Sequence, residues 1–444
     1  MAIIPRRSLF CWKNVESSPD LDRPRLVLES LPDEALMVKL EAHRGKGRDD
    51  YPVRAIWNSL LAGIVFQHES VESLRRELSR NGESRDLCGF DPLGGGQTVP
   101  SSDAYSRFLK RLIREQTIIE EMFDSLIGKL KQLLPDLGQH LAVDSKEIDT
   151  YARSRKDPAE SSDQDADWGK KEKRGVRADG TVWEKVTKWF GYKPHLLVDS
   201  HYELPLAWKL TRASRSDTTE VIPLVEDLKR RQPDLIETAK DLSADKGYDS
   251  EKNNTWLWDE CGIKPLIDIR SMWRDEKTRL LDEKKVDNVV YDEAGNIYCF
   301  CPRTGERRAM AYQGFEKDRR CLKYRCPAAA YDFKCAGRSE RGSGRYSEYG
   351  RIVRIPLEKD RRVFTPKARG SYVWAAGYKR RAAVERVNSR LDDGFRFDRH
   401  YIRGKKKMQL RFGLAFVVML AMALGHIKAG EKEKTRSLVQ PRAA

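Results

Sequence analysis

The amino-acid sequence predicts a mixed α/β protein: a mixed sheet flanked by helices, an all-α segment ahead of it and a small subdomain inserted into it. Three observations carry that expectation. Up to about residue 135, apolar residues recur at helical spacing. From Gln139 onward, short apolar runs end in polar residues and alternate with helical stretches. Between about 271 and 365 the pattern breaks into short strand-like pieces rich in cysteine and basic residues. At 444 residues, the chain exceeds the roughly 250–300 residues that one hydrophobic core supports. The expected division is 1–135 helical, 136–430 sheet-forming with the insertion at about 271–365, and 431–444 a charged, disordered tail.

Residues 1–48 carry little pattern. A helix is predicted to start at Asp50 and Pro52, a favoured first-turn residue, with Val53, Ile56, Leu60, Ile64 and Val65 at helical spacing. A second covers Val71 to Arg80. GFDPLGGGQTVPSSD is a loop by its Gly, Pro and Ser content. Ser101 or Ser102 caps a third helical region striped by Phe108, Leu112, Ile119, Met122, Phe123, Leu126 and Leu130. HLAVDS (140–145) reads as a buried strand and is followed by a polar stretch from Arg153 to Gly180. KPHLLVDS (193–200) and LPLAWKLT (204–211) read as strands joined by the turn HYE. Asp217 opens a helix to about Arg231; the strand DLSA, a helix through Trp256 and Trp258, and the strand IKPLIDI follow. Three strands, helix, strand, helix, strand fit an antiparallel meander joined by parallel strands. That is the RNase H-like order, in which the first strand lies beside the fourth. One long helix is predicted over Val373–Leu391 and an apolar one over Met408–Ile427, with FRFDRHYIRGKKK between them.

The net charge of +16 is spread along most of the chain, which favours an anionic partner, nucleic acid first. Arg75, Arg76, Arg80, Arg107, Lys110, Arg111 and Arg114 decorate the first helices, either to grip phosphates or as a solvated face. A hydrophobic content of 39% excludes wholesale disorder. The longest apolar run, Leu414 to Leu424, has eleven residues, short of the ~20 that cross a bilayer. The start MAIIPRRSLFCWKN lacks an export signal. No membrane partner and a cytoplasmic, nucleoid-associated location are expected.

Carboxylates carry the chemistry. Asp144 stands where the first strand runs out, and an ionised carboxylate is almost never fully buried unless paired or metal-bound. The strand after Lys240 offers Asp241, Asp245 and Asp249; Asp245 is preferred because it follows the strand-compatible LSA and precedes a glycine turn. In the helix after Val373, Tyr378, Arg381, Glu385 and Asn388 share a stripe at spacings of 3, 4 and 3, which can push Glu385 against the sheet edge. Three clustered carboxylates suit phosphodiester chemistry with two divalent ions about 3.5–4 Å apart, and Mg²⁺ prefers such hard oxygens. Each residue also has an ordinary role: Asp144 as a cap, Glu385 as the partner of Arg381.

At these residues the sequence resembles bacterial insertion-sequence transposases of the DDE type, over most of its length. AVDSKEI resembles the first-aspartate motif, LSADKGYDS the second, and Tyr378-x₂-Arg381-x₃-Glu385 the Tyr-Arg-Glu signature, followed by RVNSRL and RHYIRGKKK. PVRAIWNSLLAGIVFQHESVESLRREL, LCGFDP and VPSSDAYSRFLKRL resemble the helical domain found ahead of many such catalytic domains. The resemblance implies an RNase H-like catalytic domain behind a DNA-binding helical one. It implies Asp144, Asp245 and Glu385 as catalytic ligands of two Mg²⁺, with Mn²⁺ able to substitute, and cleavage and strand transfer at the inverted-repeat ends of double-stranded DNA. It also implies a homodimer in the synaptic assembly. Tyr378 and Arg381 are then expected near the scissile phosphate, with Lys405 and Lys406 on the backbone. One position departs: the lysine often found seven residues after the glutamate is Asp392 here, leaving Arg390 or a neighbour to contact phosphate. A catalytically inactive or repurposed DNA-binding protein and a nuclease without strand transfer remain the alternatives.

Two further features stand apart. Cys299, Cys301, Cys321 and Cys326, with Cys335 as a substitute, are candidate ligands for a structural Zn²⁺, though the one-residue gap in the first pair is short for zinc. Aromatic and basic residues interleave in WEKVTKWFGYK (183–193) and RSMWR (270–274). Stacking on unpaired bases and ordinary packing of Trp189 and Phe190 are both open.

Overall fold

The computed structural model describes residues 19–44, 51–155, 160–177, 179–274, 277–282, 288–301, 303–332, 335 and 349–436. Asp50, expected at a helix start, lies outside them, as do residues 437–444 of the expected tail. The helical part comprises α1 (Asp22–Ser30), α2 (Glu34–Arg44), α3 (Val53–Val65), α4 (Val71–Arg80), α5 (Gly82–Cys88), α6 (Ser102–Arg114) and α7 (Gln116–Leu133). Helices α1 and α2 fall in the segment that reads as patternless; each buries only a narrow stripe, Pro24 and Val27 on one and Leu36, Met37 and Leu40 on the other. Caps explain the starts of later helices. Ser70 and Ser73 form a capping box on α4, and Ser101 accepts the Ala104 N–H on α6.

The main sheet contains β1 (His140–Ser145), β2 (Ile148–Asp149), β3 (Asp167–Val176), β4 (Val182–Asp199) and β5 (Leu204–Arg212). Then follow α8 (Val221–Arg231), α9 (Pro233–Thr238), β6 (Asp241–Ala244), α10 (Glu251–Asp259) and β7 (Lys264–Ile267). Antiparallel β5, β4 and β1 are continued by parallel β6 and β7, so β1 lies beside β6 as the strand order requires. The polar stretch 153–180, to which the sequence assigned no element, supplies β3, which extends β4 into a long hairpin.

Between residues 271 and 365 stand two small sheets. One holds β8 (Arg279–Leu280), β9 (Val289–Tyr291), β10 (Ile297–Phe300) and β11 (Arg307–Ala309). The other holds β12 (Ala311–Glu316), β13 (Cys321–Arg325) and, after the short α11 (Pro327–Ala330), β14 (Ile352–Pro356). They share an apolar cluster of their own around Val289, Leu322, Ile355 and Phe364. The candidate zinc cysteines fall on several elements: Cys299 lies on β10 and Cys321 on β13, in different sheets; Cys321 points its thiol at Glu316, and Cys326 immediately precedes α11. Among the described residues no three Cys, His, Asp or Glu side chains are gathered to hold a metal ion.

The single helix expected over Val373–Leu391 is broken. Helix α12 (Tyr372–Tyr378) passes through a 3₁₀ turn at Lys379–Arg381 into α13 (Ala382–Asp393). The tighter turn lets Arg380 reach Asp241 at 3.2 Å while Arg381 reaches Asp144 at 3.8 Å. Last comes α14 (Lys405–Lys428), then a 3₁₀ turn at Lys432–Arg436 that buries Thr435, so the expected disordered tail is ordered that far.

By length and composition α14 is apolar enough to cross a membrane, yet 89% of its most apolar window is buried within the protein. Helices α1, α3, α6 and α7 and strand β5 pack around it. One apolar cluster therefore runs from the N-terminal helices through α14 to the sheet. The closest approach is at Gly425, where an added Cβ would fall 2.4–3.0 Å from the Leu26 side chain. Helix propensity alone favours Gly425→Ala by about 1 kcal/mol, but overpacking costs typically 1–3 kcal/mol. Urea unfolding should show Gly425→Ala less stable than wild type; a more stable variant would contradict this packing.

Candidate active site

Strands β1 and β6 pair in parallel up to Val143 with Ala244. The next residues, Asp144 and Asp245, therefore stand side by side at the carboxyl ends of the strands, where open α/β sheets bind ligands. Asp144 accepts the Ser145 N–H and Asp245 the Gly247 N–H, each at 2.8 Å. Burial, together with the facing Asp245, pushes the Asp144 carboxyl up to about 6.

The three aspartates of the second motif are separated by their partners. Asp241 lies 2.8 Å from His140 Nδ1 and 2.7 Å from Lys367 Nζ; burial disfavours its charge, but these partners hold it down to about 2. Asp249 is tied to Arg362 at 2.9 Å and accepts the Arg270 N–H. Asp245 makes no ion pair among the described residues. It is the aspartate left open for a ligand.

Glu385 does not touch the two aspartates. Arg381 stands between, 2.7 Å from Glu385 Oε1 and 3.8 Å from Asp144 Oδ2, and Glu385 is 52% exposed. The three carboxylates are thus not gathered on one point. Anions repel at close range, and a guanidinium bridges two of them here. Tyr378 stacks on Trp374, ring centres 4.8 Å apart, and the Arg381 guanidinium lies 5.8 Å from the Tyr378 ring centre.

Arg390 is committed elsewhere. It donates to the Glu203 carbonyl oxygen at 3.0 Å and pairs with the Glu203 carboxylate; burial and the nearby Arg436 pull its guanidinium down to about 10. Glu203, buried in the turn between β4 and β5, also takes Arg386 at 2.7 Å. Arg390 therefore braces α13 against the turn between β4 and β5. At Asp392 a cation arrives from another element: Lys146 Nζ lies 2.5 Å from Asp392 Oδ2. Lys405 and Lys406 sit in the first turn of α14, where Lys406 is exposed and the preceding Gly404 N–H donates to Asp163.

Several residues of the site escape sequence reasoning. A Cβ on Gly247 would fall 2.8 Å from Asp245 Oδ1 and 3.6 Å from Asp217 Oδ2, so glycine keeps a gap open between two carboxylates. Asp217 is ion-paired with Lys193 at 3.2 Å. The Tyr248 hydroxyl is buried near Ser145 and meets no well-formed hydrogen-bond partner among the described residues. Burial and the charges of Asp144, Asp217 and Asp245 push it far above the usual phenol range. Only the Gly-Tyr pair after Asp245 signals this in the sequence.

Residues 135–421 match the family of the transposase DDE domain. The chain belongs to that family. The match spans Asp144, Asp245 and Glu385, with the insertion inside it. No curated protein matches the chain. Among solved structures, the cryo-EM synaptic complex of piggyBac transposase with hairpin DNA aligns at 13% identity over 94% of this chain and 79% of that chain. Its TM-score of 0.35 is too low to argue from.

Two measurements check this transposase-domain geometry. Ionising Asp144 opposes folding, because its carboxyl is a weaker acid in the fold than in the unfolded chain, where its pKa is about 3.9; its stabilising share is complete below that pH and lost as pH rises through about 6. In EDTA, Asp144→Asn should raise stability at pH 8 by up to about 3 kcal/mol and leave it almost unchanged at pH 4; equal shifts at both would refute the buried repulsion. For the Lys146–Asp392 pair, single reversals at either residue should destabilise by about 1–2 kcal/mol, and the double swap should recover most of that. A coupling below about 0.3 kcal/mol would show that the pair ties nothing together.

Proposed function

We propose that this chain is the transposase of an insertion sequence. In this reading it binds the terminal inverted repeats, cleaves phosphodiester bonds at the element's ends and joins them to target DNA, in the cytoplasm and as a homodimer that pairs two ends. Its sheet is read as an RNase H-like core, supported by the antiparallel-then-parallel order. The observation that carries the proposal is the juxtaposition of Asp144 and Asp245, the first desolvated and repelled, the second without a cationic partner.

Those carboxylates fit divalent cations. The two side chains present hard anionic oxygen donors next to each other at the ends of paired strands, and Mg²⁺ is held by one or two carboxylates while keeping waters for a substrate to displace. Asp144 and Asp245 would hold one ion, and Glu385 would add a second set of oxygens on releasing Arg381. Bound Mg²⁺ or Mn²⁺ would activate a water or 3′-OH and steady the leaving oxygen. Arg381, freed from Glu385, presents a planar fork suited to a phosphate. Tyr378, stacked on Trp374, holds that guanidinium in place. Lys405 and Lys406 add their charge to the positive end of α14, which favours backbone phosphates. On α4 a surface hollow of about 260 Å³ is lined by Arg75, Arg76 and Arg80 together with Glu72 and Ser79, and its arginines would suit a phosphate backbone.

The deciding experiment uses labelled DNA carrying the terminal repeats that flank the gene, with Mg²⁺ or EDTA. Wild type should give Mg²⁺-dependent nicks at the repeat ends and joined product. Asp144→Asn, Asp245→Asn and Glu385→Gln should each lose both while still binding, and binding should fall linearly in log–log terms with salt. Cleavage above a few per cent in any variant removes that residue from the site. Nicking without joining indicates a nuclease; tight binding without cleavage under any divalent ion indicates a DNA-binding protein.

A further inference from the structure

We infer that the hairpin of β3 with the first half of β4 is an arm that lies along the DNA backbone next to the cleaved phosphate. The inference rests on the function proposed above and extends it to a surface outside the carboxylate site. Strands β3 and β4 pair without a bulge from Asp167 with Gly191 to Val176 with Val182. The base is buried at Trp189 and Gly191, whereas every residue from Val182 to Val186 is exposed. At about 3.4 Å per residue, the seven residues beyond Gly169 project roughly 24 Å. An isolated two-stranded ribbon is marginally stable in water, and this one leaves Val182 74% and Val186 44% exposed.

Its two faces differ. On one face the Trp189 ring lies across Gly169 and the Trp183 ring across Gly175; a Cβ at either glycine would fall 2.3–2.7 Å from ring atoms. The rings therefore lie flat on the ribbon. Between them the register pairs Lys171 with Thr187 and Lys173 with Lys185. From Gly169 to Gly175 and from Trp183 to Trp189, no carboxylate falls on this face, because Glu172 and Glu184 alternate onto the other.

Position decides the partner. Lys171 Nζ is 3.7 Å from Glu147, and its charge is among those that favour ionised Asp144. The lysine face thus begins beside the carboxylates and runs outward. Duplex flanking the cleavage point would meet lysines for its phosphates and flat rings for its sugars, contacts that add affinity without reading sequence. A second copy of the chain fits worse, since each copy carries +16 and would present like charge to this face.

The test uses the full chain in EDTA with a duplex carrying the repeat end and its flank, with dissociation constants measured across a salt series. Lys185→Gln should weaken binding several-fold and lower the salt slope by about 1. Trp183→Ala should weaken binding with the slope unchanged. Both positions are exposed, so unchanged unfolding midpoints serve as the control for folding. A photo-crosslinker at position 185 should join the protein to DNA within one helical turn of the cleavage site. Wild-type affinity and slope in both variants, or crosslinks between protein chains in place of DNA, would overturn the inference. Absence of salt-dependent duplex binding by wild type would overturn the proposed function first, and the arm with it.

Discussion

Parallel pairing of β1 with β6 forces two carboxylates to the same edge of the sheet, and the surrounding structure is arranged around that repulsion. Asp144 is largely but not fully buried, faces Asp245 and is pushed up to about 6. A pair of this kind costs folding energy unless something positive joins it. The molecule supplies a partial answer in Arg381, which reaches toward Asp144 from one side and binds Glu385 on the other. The guanidinium holds apart two groups that a cation would draw together.

The helix that carries Glu385 is positioned by ion pairs rather than by its apolar stripe alone. Buried Glu203 takes Arg386 and Arg390, while Lys146, two residues beyond Asp144, takes Asp392. These contacts fix both the rotation of α13 and its distance from β1. The 3₁₀ turn at Lys379–Arg381 then aims successive arginines at different aspartates, Arg380 at Asp241 and Arg381 at Asp144. One neutralises an aspartate of the sheet; the other stays at the candidate site.

Behind the sheet, α14 acts as a spine. Its apolar surface is covered by the N-terminal helices on one side and by β5 on another. Helices α1 to α7 are thereby bound into the same core as the sheet, and the hollow on α4 is carried on a framework continuous with the carboxylates. The insertion has its own small core.

The sequence by itself determined the strands HLAVDS, KPHLLVDS, LPLAWKLT and DLSA and the apolar helix over Met408–Ile427, because period and length are local properties; the adjacency of β1 and β6 was expected only by analogy with the RNase H-like strand order. It also marked Asp144, Asp245 and Glu385 through motifs whose spacing is written in the chain. It left α1, α2 and β3 unread, since their apolar stripes are narrow or absent and neighbours hold them in place. Tertiary structure alone decided that Asp241 and Asp249 are neutralised while Asp245 is open, that Arg390 braces Glu203, and that Lys146 meets Asp392 from 246 positions away. Those outcomes depend on which charges meet across elements distant in sequence, and no local pattern encodes such a meeting.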